Sequence, residues 1–161
     1  MNDEKTIRLD RMRYTKNTLA STLAIVSILF DVFFFISIYE SNVASWYYNI
    51  LIGGSILYNL IFLLAAFLCS EGIKNYKIGY AYFMAVLGIG QIIRIFIYPV
   101  RAHNATVTIQ EKAVTVMGGA QFTRCVLYLV ISAACLFAGA YVGMTRSKQL
   151  KAHLASLGVA A

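Results

Sequence analysis

The sequence predicts an all-α integral membrane protein: a bundle of four transmembrane helices, with both termini in the cytoplasm and a short hairpin-like exterior loop between helices 3 and 4. Three observations lead to this fold class. Of the 161 residues, 60% are hydrophobic and only 13% are charged, a balance that a soluble domain of this size would expose as large apolar patches. Four apolar runs reach the length of about 20 residues that a helix needs to cross a bilayer. The basic residues are concentrated on one side of these runs.

The four runs make one membrane domain of residues 1–161. The spans are expected at about 18–39, 46–70, 78–98 and 122–145, with cytoplasmic arms of residues 1–17 and 146–161. The first run lacks a small-residue cleavage site and follows an arm with both signs of charge, so we interpret it as a retained span.

Two residues are expected to end spans. Gly72 is expected to cap the second span, because a residue without a Cβ suits the position just beyond a helix. Pro99 is expected to stop the third span and to force Tyr98 out of helical geometry, because the proline ring restricts the residue before it.

The distribution of Lys and Arg predicts the orientation of the spans. Of the fourteen Lys and Arg residues, ten flank the spans on the side of the termini, three flank them on the other side, and Arg94 lies within a span. The positive-inside rule therefore places both termini in the cytoplasm, and we expect a multi-pass protein of the plasma membrane. Because the net charge of +7 follows this flanking pattern, no nucleic-acid partner is predicted. The expected partners are the lipid bilayer and either another membrane protein or further copies of the chain.

The longest exterior segment, residues 101–121, contains an alternating pattern. The stretches "TVTI" and "AVTV" surround Gln110, Glu111 and Lys112, which predicts a small hairpin with two β-branched arms. An ordinary cap over the bundle is the favoured interpretation, and a movable lid is the alternative.

The arm that follows the fourth span is expected to be helical. Leu150, Leu154 and Leu157 share one face, which predicts a short helix that lies on the inner leaflet or docks on a partner.

Five polar side chains within the apolar runs are predicted to lie at similar depth. Counted from the cytoplasmic boundary at ~1.5 Å per residue, Asp31, Gln91 and Ser132 are each roughly 21 Å deep, Asn59 roughly 18 Å and Arg94 roughly 25 Å. Each lies on a stripe with heptad-like spacing, so the polar side chains are expected to face one seam between the helices.

Opposite charge within this layer predicts an ion pair. An isolated Asp or Arg at mid-membrane costs ~3 kcal/mol, so we expect Asp31 to pair with Arg94, with Gln91 and Asn59 as further hydrogen-bond partners. Two alternatives remain open. Arg94 lies about one turn from the outer boundary and would also reach the headgroups by itself, and a pair, if formed, would serve only to fix the helix register.

The fourth run and the cysteines concern packing. Gly139 and Gly143 are four residues apart, a spacing that lets helix backbones approach closely and predicts a compact bundle instead of a pore. Cys69, Cys125 and Cys135 lack paired spacing and are interpreted as packing thiols.

The sequence predicts a non-enzymatic protein without a metal or cofactor, since HExxH, GxSxG, phosphate-loop and CxxC motifs are absent from it. The leading interpretation is an accessory or interaction subunit of a larger membrane assembly. A first alternative is a small ion- or proton-coupled transporter that uses Asp31. One acidic residue in the first of four helices resembles small multidrug transporters in outline, although this chain is much longer, has a longer exterior loop and offers its carboxylate a basic partner. A second alternative is a membrane sensor or ligand-binding module.

Overall fold

A computed structural model describes residues 16–38, 46–109 and 112–156. In chain order the elements are α1 (Thr18–Ile38), α2 (Trp46–Lys74), α3 (Ile78–Ile97), α4 (Pro99–Asn104), β1 (Thr106–Ile109), β2 (Lys112–Thr115) and α5 (Gly119–Ser156). Within these ranges α1, α2, the α3–α4 segment and α5 are long and apolar enough to cross a membrane. This confirms the predicted four-helix membrane architecture, while the orientation of the termini stays a prediction. Most of the first arm (1–15), the first loop (39–45), the hairpin turn (110–111) and the last five residues lie outside the described residues.

The four long helices are arranged in a ring. Helix α5 packs against α1 and α3, and α2 packs against the same two helices from the other side. The buried apolar residues form two clusters. One contains Ala24, Phe62 and Leu136, and the other contains Phe34, Met117 and Leu129. Along α1, α3 and α5 the buried polar residues lie between these two clusters, at the level that the polar pattern of the sequence predicted.

The end of α2 differs from the prediction. The helix continues to Lys74, and Tyr76 adopts a left-handed conformation with φ of 59°. The Lys77 N–H donates to the Gly72 carbonyl at 3.2 Å and the Tyr76 N–H to the Ile73 carbonyl at 3.1 Å, a Schellman arrangement that satisfies the last carbonyls. Gly72 is therefore not the cap. A Cβ on Gly72 would overlap the Tyr80 ring, so its missing side chain makes room for α3.

The proline also acts differently from the prediction. Helix α3 ends at Ile97, but Tyr98 has φ −106° and ψ −71° and so stays in the right-handed helical region. The Tyr98 N–H donates to the Arg94 carbonyl at 3.1 Å, and a new helical segment begins at Pro99. Proline is well tolerated at the first position of a helix, where its missing N–H would have no intrahelical partner. The chain therefore resumes a helix instead of stopping.

Helix α5 is longer than the predicted span. Its 38 residues cover about 57 Å, almost twice the ~30 Å thickness of the hydrocarbon core. Residues 146–156 continue this helix without a break, so a separate short helix lying on the membrane is wrong for the described part of the arm. The continuous helix carries its basic residues directly out of the bundle.

The segment between α4 and α5 contains two paired strands. β1 and β2 are antiparallel, with Thr106 opposite Thr115 and Ile109 opposite Lys112. The Val116 N–H donates to the Ala105 carbonyl at 2.9 Å, and Val116 and Met117 are buried against the second apolar cluster. The strands are thus anchored to the bundle through the residues that follow them. On which side of the membrane they lie stays a prediction.

Candidate functional site

The polar layer of the bundle consists of side chains from all four long helices. Its members are Ser27, Asp31, Ser55, Asn59, Gln91, Arg94 and Ser132, and all of them are buried. The layer contains the five residues that the sequence predicted and adds two serines. Because α1 and α3 lie on opposite sides of the ring, contacts between them cross its centre.

Asp31 and Arg94 form the central contact of this layer. The Arg94 Nη1 donates to the Asp31 Oδ1 at 2.7 Å, and each side chain is only 1% exposed. The Gln91 Nε2 donates to the same carboxylate oxygen at 2.9 Å. Since Arg94 is enclosed and bonded within the bundle, its side chain does not reach toward the headgroups. The guanidinium instead neutralises the one carboxylate in the polar layer.

The remainder of the guanidinium contacts groups that the sequence analysis did not assign to the site. The Arg94 Nη2 donates to the Ser55 Oγ at 2.9 Å. The ring centroids of Phe34, Tyr58 and Tyr98 lie 4.3, 4.6 and 5.7 Å from the Arg94 Cζ. Aromatic faces attract a cation, and this attraction strengthens when water is excluded. The buried arginine is therefore stabilised by a carboxylate, a hydroxyl and three rings.

Ser132 links α5 to the same layer. Its hydroxyl donates to the Ser27 carbonyl at 3.1 Å and lies 3.0 Å from the Ser27 hydroxyl. The Gln91 Nε2 also donates to the Ser132 Oγ at 3.4 Å. Because serine is small, these contacts allow α1 and α5 to approach closely. Ser132 thus joins the helix pair α1–α5 to the ion pair.

Asn59 lies in the layer but does not bond to the ion pair. Its side chain is buried, with 5% exposure, and neither its Oδ1 nor its Nδ2 has a hydrogen-bond partner. Ser55, one helical turn earlier on α2, occupies the position beside Arg94 instead. The Asp31 Oδ2 likewise has no partner within the described part of the chain. Two neighbouring helices therefore hold unsatisfied polar atoms at similar depth.

These unsatisfied groups line a cavity between α1 and α2. The cavity has a volume of about 260 Å³ and its walls are Asp31, Val32, Phe35, Ile56, Asn59, Leu60 and Leu63. Ile56 and Leu60 are 47% and 57% exposed, so they form the rim toward the surrounding lipid. The Asp31 Oδ1 is engaged by α3, which leaves the Oδ2 for an occupant of the cavity. The result is an apolar recess with one carboxylate oxygen and one amide at its inner wall.

Comparison with known proteins adds no family assignment, since no protein-family model, curated protein or solved structure matches this chain significantly. Across residues 16–38, 46–109 and 112–156, no group of three or more His, Cys, Asp or Glu side chains is placed to hold a metal ion. The chemistry of the site must therefore be argued from the polar layer and the cavity themselves.

Signals for the missed residues differ in strength. Ser55 lies four residues before Asn59, on the stripe that the heptad-like spacing identified, so it was available as an alternative partner. The rings of Phe34, Tyr58 and Tyr98 carry no comparable signal, because aromatic residues make up 14% of the sequence and occur throughout the apolar runs.

Proposed function

We propose that this protein is a ligand-binding module of the membrane, which takes a small, neutral, hydroxyl-bearing amphiphile from the bilayer into the cavity between α1 and α2. The observation that carries the proposal is the pair of unsatisfied buried groups at its inner wall, the Asp31 Oδ2 and the Asn59 amide. Buried polar atoms in proteins almost always have a partner, so groups that lack one within the chain indicate an occupant.

The available donors and acceptors favour a hydroxyl group. A hydroxyl donates one hydrogen bond and accepts others, so its O–H fits the Asp31 Oδ2 while its oxygen fits the Asn59 Nδ2. The charge of Asp31 is already balanced by Arg94, at 2.7 Å. An ammonium group would bring a net positive charge into hydrocarbon, and an anionic group would face the carboxylate. The site chemistry therefore favours a neutral ligand.

The position and size of the cavity favour a ligand that is dissolved in the membrane. Its rim residues Ile56 and Leu60 are apolar and exposed on the lipid-facing side of α2. Its volume of about 260 Å³ lies just below the range of roughly 300–1,000 Å³ that holds drug-sized molecules. A short-chain alcohol or an alkylphenol has a suitable size. Water would satisfy the same polar atoms but would leave the apolar walls without contacts.

The other two functions stay predictions. A transporter that exchanges cations at Asp31 would have to displace the guanidinium of Arg94, which makes the shortest contact to that carboxylate. An accessory subunit requires a partner surface, and the buried polar layer does not identify one. The cavity is the feature that favours ligand binding over both.

Photolabelling tests the proposal with a diazirine-bearing octanol as the probe. In purified protein reconstituted in nanodiscs, adducts should map to Val32, Phe35 or Leu63. At equal concentration in the bilayer, 1-octanol should compete roughly ten-fold better than octane or octylamine, because a hydrogen bond to a charged group contributes about 1.5–3 kcal/mol. Adducts spread evenly over all lipid-facing residues, or equal competition by octane, would overturn the proposal.

Two tryptophan variants provide a matched pair. Leu60→Trp places a large ring at the rim of the cavity, whereas Leu64→Trp places the same ring one turn later, on a residue that is 62% exposed and does not line the cavity. Labelling should be lost in the first variant and kept in the second. Asn59→Leu should weaken competition by octanol and leave competition by octane unchanged. Equal labelling of the two tryptophan variants would show that the cavity is not the binding site.

A further inference from the structure

A second cavity lies at the other end of α1, beside the point where α5 leaves the bundle. It has a volume of about 210 Å³ and is lined by Leu19, Tyr141, Val142, Thr145, Arg146 and Gln149. It shares no residue with the cavity beside Asp31, and the inference drawn from it is independent of the proposed function.

The walls of this cavity change from apolar to basic along the axis of α5. Tyr141 and Val142 line its lower part, and Arg146 and Gln149 line it one to two turns later, about 6–12 Å further along the helix. Leu19 and Tyr141 are 47% and 68% exposed, so the apolar part opens toward lipid. The same change from apolar to polar occurs where acyl chains meet the headgroups of a bilayer.

Arg146 is held in place by contacts within this end of the bundle. Its Nη1 donates to the Asn17 Oδ1 at 3.2 Å, and the Asn17 backbone N–H donates to the Lys74 carbonyl at 2.9 Å. The Asn17 side chain is fully buried, and its Nδ2 donor has no partner within the described chain. A guanidinium carries five N–H donors, of which the Asn17 contact uses one. A positioned cation and an unsatisfied donor thus lie side by side above an apolar wall.

The charge around Arg146 favours an anion. Lys16 and Lys74 belong to the same end of the bundle, because the residues next to and bonded to Asn17 bring them there. Glu71 is the acidic side chain described nearby, and it accepts a hydrogen bond from Lys74 at 3.1 Å. The pair of Glu71 and Lys74 is neutral, so Lys16 and Arg146 leave this end positively charged.

We infer that this cavity binds an anionic phospholipid, with its phosphate on Arg146 and an acyl chain along Leu19, Tyr141 and Val142. A free phosphate would use the guanidinium and leave the apolar half of the cavity unoccupied. A zwitterionic lipid fills the apolar half, but its choline group adds a positive charge next to Lys16 and Arg146. The combination of an apolar wall and an uncompensated cation selects a lipid with a net negative headgroup.

Binding of defined lipids to the delipidated, detergent-solubilised full-length protein tests this inference by native mass spectrometry. Phosphatidylglycerol should bind more tightly than phosphatidylcholine with the same acyl chains, and Arg146→Gln should reduce the affinity for phosphatidylglycerol about five-fold, which corresponds to ~1 kcal/mol per basic residue near the membrane surface. Lys148→Gln removes the same charge two residues later, on a different face of α5, and should leave the affinity unchanged. Equal losses in the two variants would overturn the site.

Two further arms test the phosphate contact and the acyl-chain contact separately. Inorganic phosphate should fail to displace phosphatidylglycerol, since it lacks the acyl chain, and displacement at equal concentration would identify an ion site instead. Leu19→Trp fills the apolar half without changing the charge, and it should reduce the binding of both lipids. Unchanged binding of both lipids by that variant would exclude the acyl-chain contact on which the inference depends.

Discussion

Arg94 makes the most varied set of contacts in the polar layer. One amino group donates to Asp31 at 2.7 Å and the other donates to Ser55 at 2.9 Å, while the Nε has no hydrogen-bond partner. The planar guanidinium suits this arrangement, because its donors point in fixed directions and its faces stack on aromatic rings. Phe34 and Tyr58 lie within 4.6 Å of its central carbon. A single side chain thereby connects α3 to groups on α1 and α2.

The first prediction concerns the ion pair. Asp31→Asn and Arg94→Gln should each destabilise the detergent-solubilised protein by about 3–5 kcal/mol, because each leaves an uncompensated charge in a buried position. The double variant should be more stable than the sum of the two losses implies, since it leaves neither charge. Unfolding followed by circular dichroism during titration with a denaturing detergent measures all four proteins.

Ser70→Ala serves as the control for this cycle. Ser70 is buried and bonds to Ser21 at 2.8 Å, in a polar contact that is remote from the ion pair. Its effect should add to that of Asp31→Asn, whereas the effects of Asp31→Asn and Arg94→Gln should not add. Strict additivity of the two charge variants would mean that the two residues do not interact in the protein.

At this scale, charge and depth predicted the contact between Asp31 and Arg94, and rotation about the helix axis limited the remainder. Ser55 and Asn59 share one stripe of α2 and differ by a single turn, so depth alone did not decide which of them would face Arg94. The structure brings Ser55 to the guanidinium and places Asn59 beside the cavity. The choice depends on how far α2 is shifted along its axis relative to α3, which packing determines and the spacing of polar residues does not.

At the scale of the helices, glycine positions determine how closely α5 packs. A Cβ on Gly139 would lie 2.5 Å from the Met84 Cε and 3.3 Å from the Ala20 carbonyl oxygen. A Cβ on Gly143 would overlap the side chain of Ile73 and lie 3.3 Å from the Ala81 Cβ. The two glycines therefore face three neighbouring helices. This agrees with the close approach that their four-residue spacing predicts.

The second prediction concerns Gly143. Gly143→Ala should destabilise the bundle by about 1–3 kcal/mol, because the added methyl group requires Ile73 to shift within a packed core. Ile73→Val removes the methyl group nearest to the new Cβ, so the combined variant should lose less stability than the sum of the single variants. The same detergent-unfolding measurement reports these differences.

Gly53→Ala is the matched control on α2. A Cβ at Gly53 has no atom within 4 Å, so alanine should be neutral or stabilise the helix by up to ~1 kcal/mol through its higher helix propensity. Equal losses for Gly53→Ala and Gly143→Ala would show that close packing at α5 is not the reason for the glycine.

The existence of the helices was predictable, and their ends were less so. Four apolar runs predicted four spans because hydrophobic length is set by the bilayer. The extension of α5 beyond its predicted end at 145 was not predicted, since residues 146–156 lack both Gly and Pro and hydropathy does not report a helix that continues into water. Gly72 failed as a cap because Tyr80 needs the space beside it, and that requirement arises only when α2 and α3 pack together.

At the scale of the whole molecule, the structure separates two chemically different ends. Lys16, Lys74 and Arg146 come together at one end through the hydrogen bonds around Asn17. The paired strands and α4 lie at the opposite end, where His103 bonds to the Met117 carbonyl at 3.1 Å and stacks on Phe122. The ion pair lies between the two apolar clusters that fill these ends.

The last prediction concerns the orientation of these ends. The end with Lys16, Lys74 and Arg146 also receives the basic residues of the first arm, so it carries ten of the thirteen basic residues that flank the spans and should face the cytoplasm. In intact cells, a membrane-impermeant maleimide should label single cysteines introduced at Lys112 and Asn42, in a background without the three native cysteines. A cysteine at the exposed position Asn75 should react only after permeabilisation. Since Asn75 follows Lys74 directly, its labelling in intact cells together with protection at Lys112 would place the basic end outside and reverse the proposed topology.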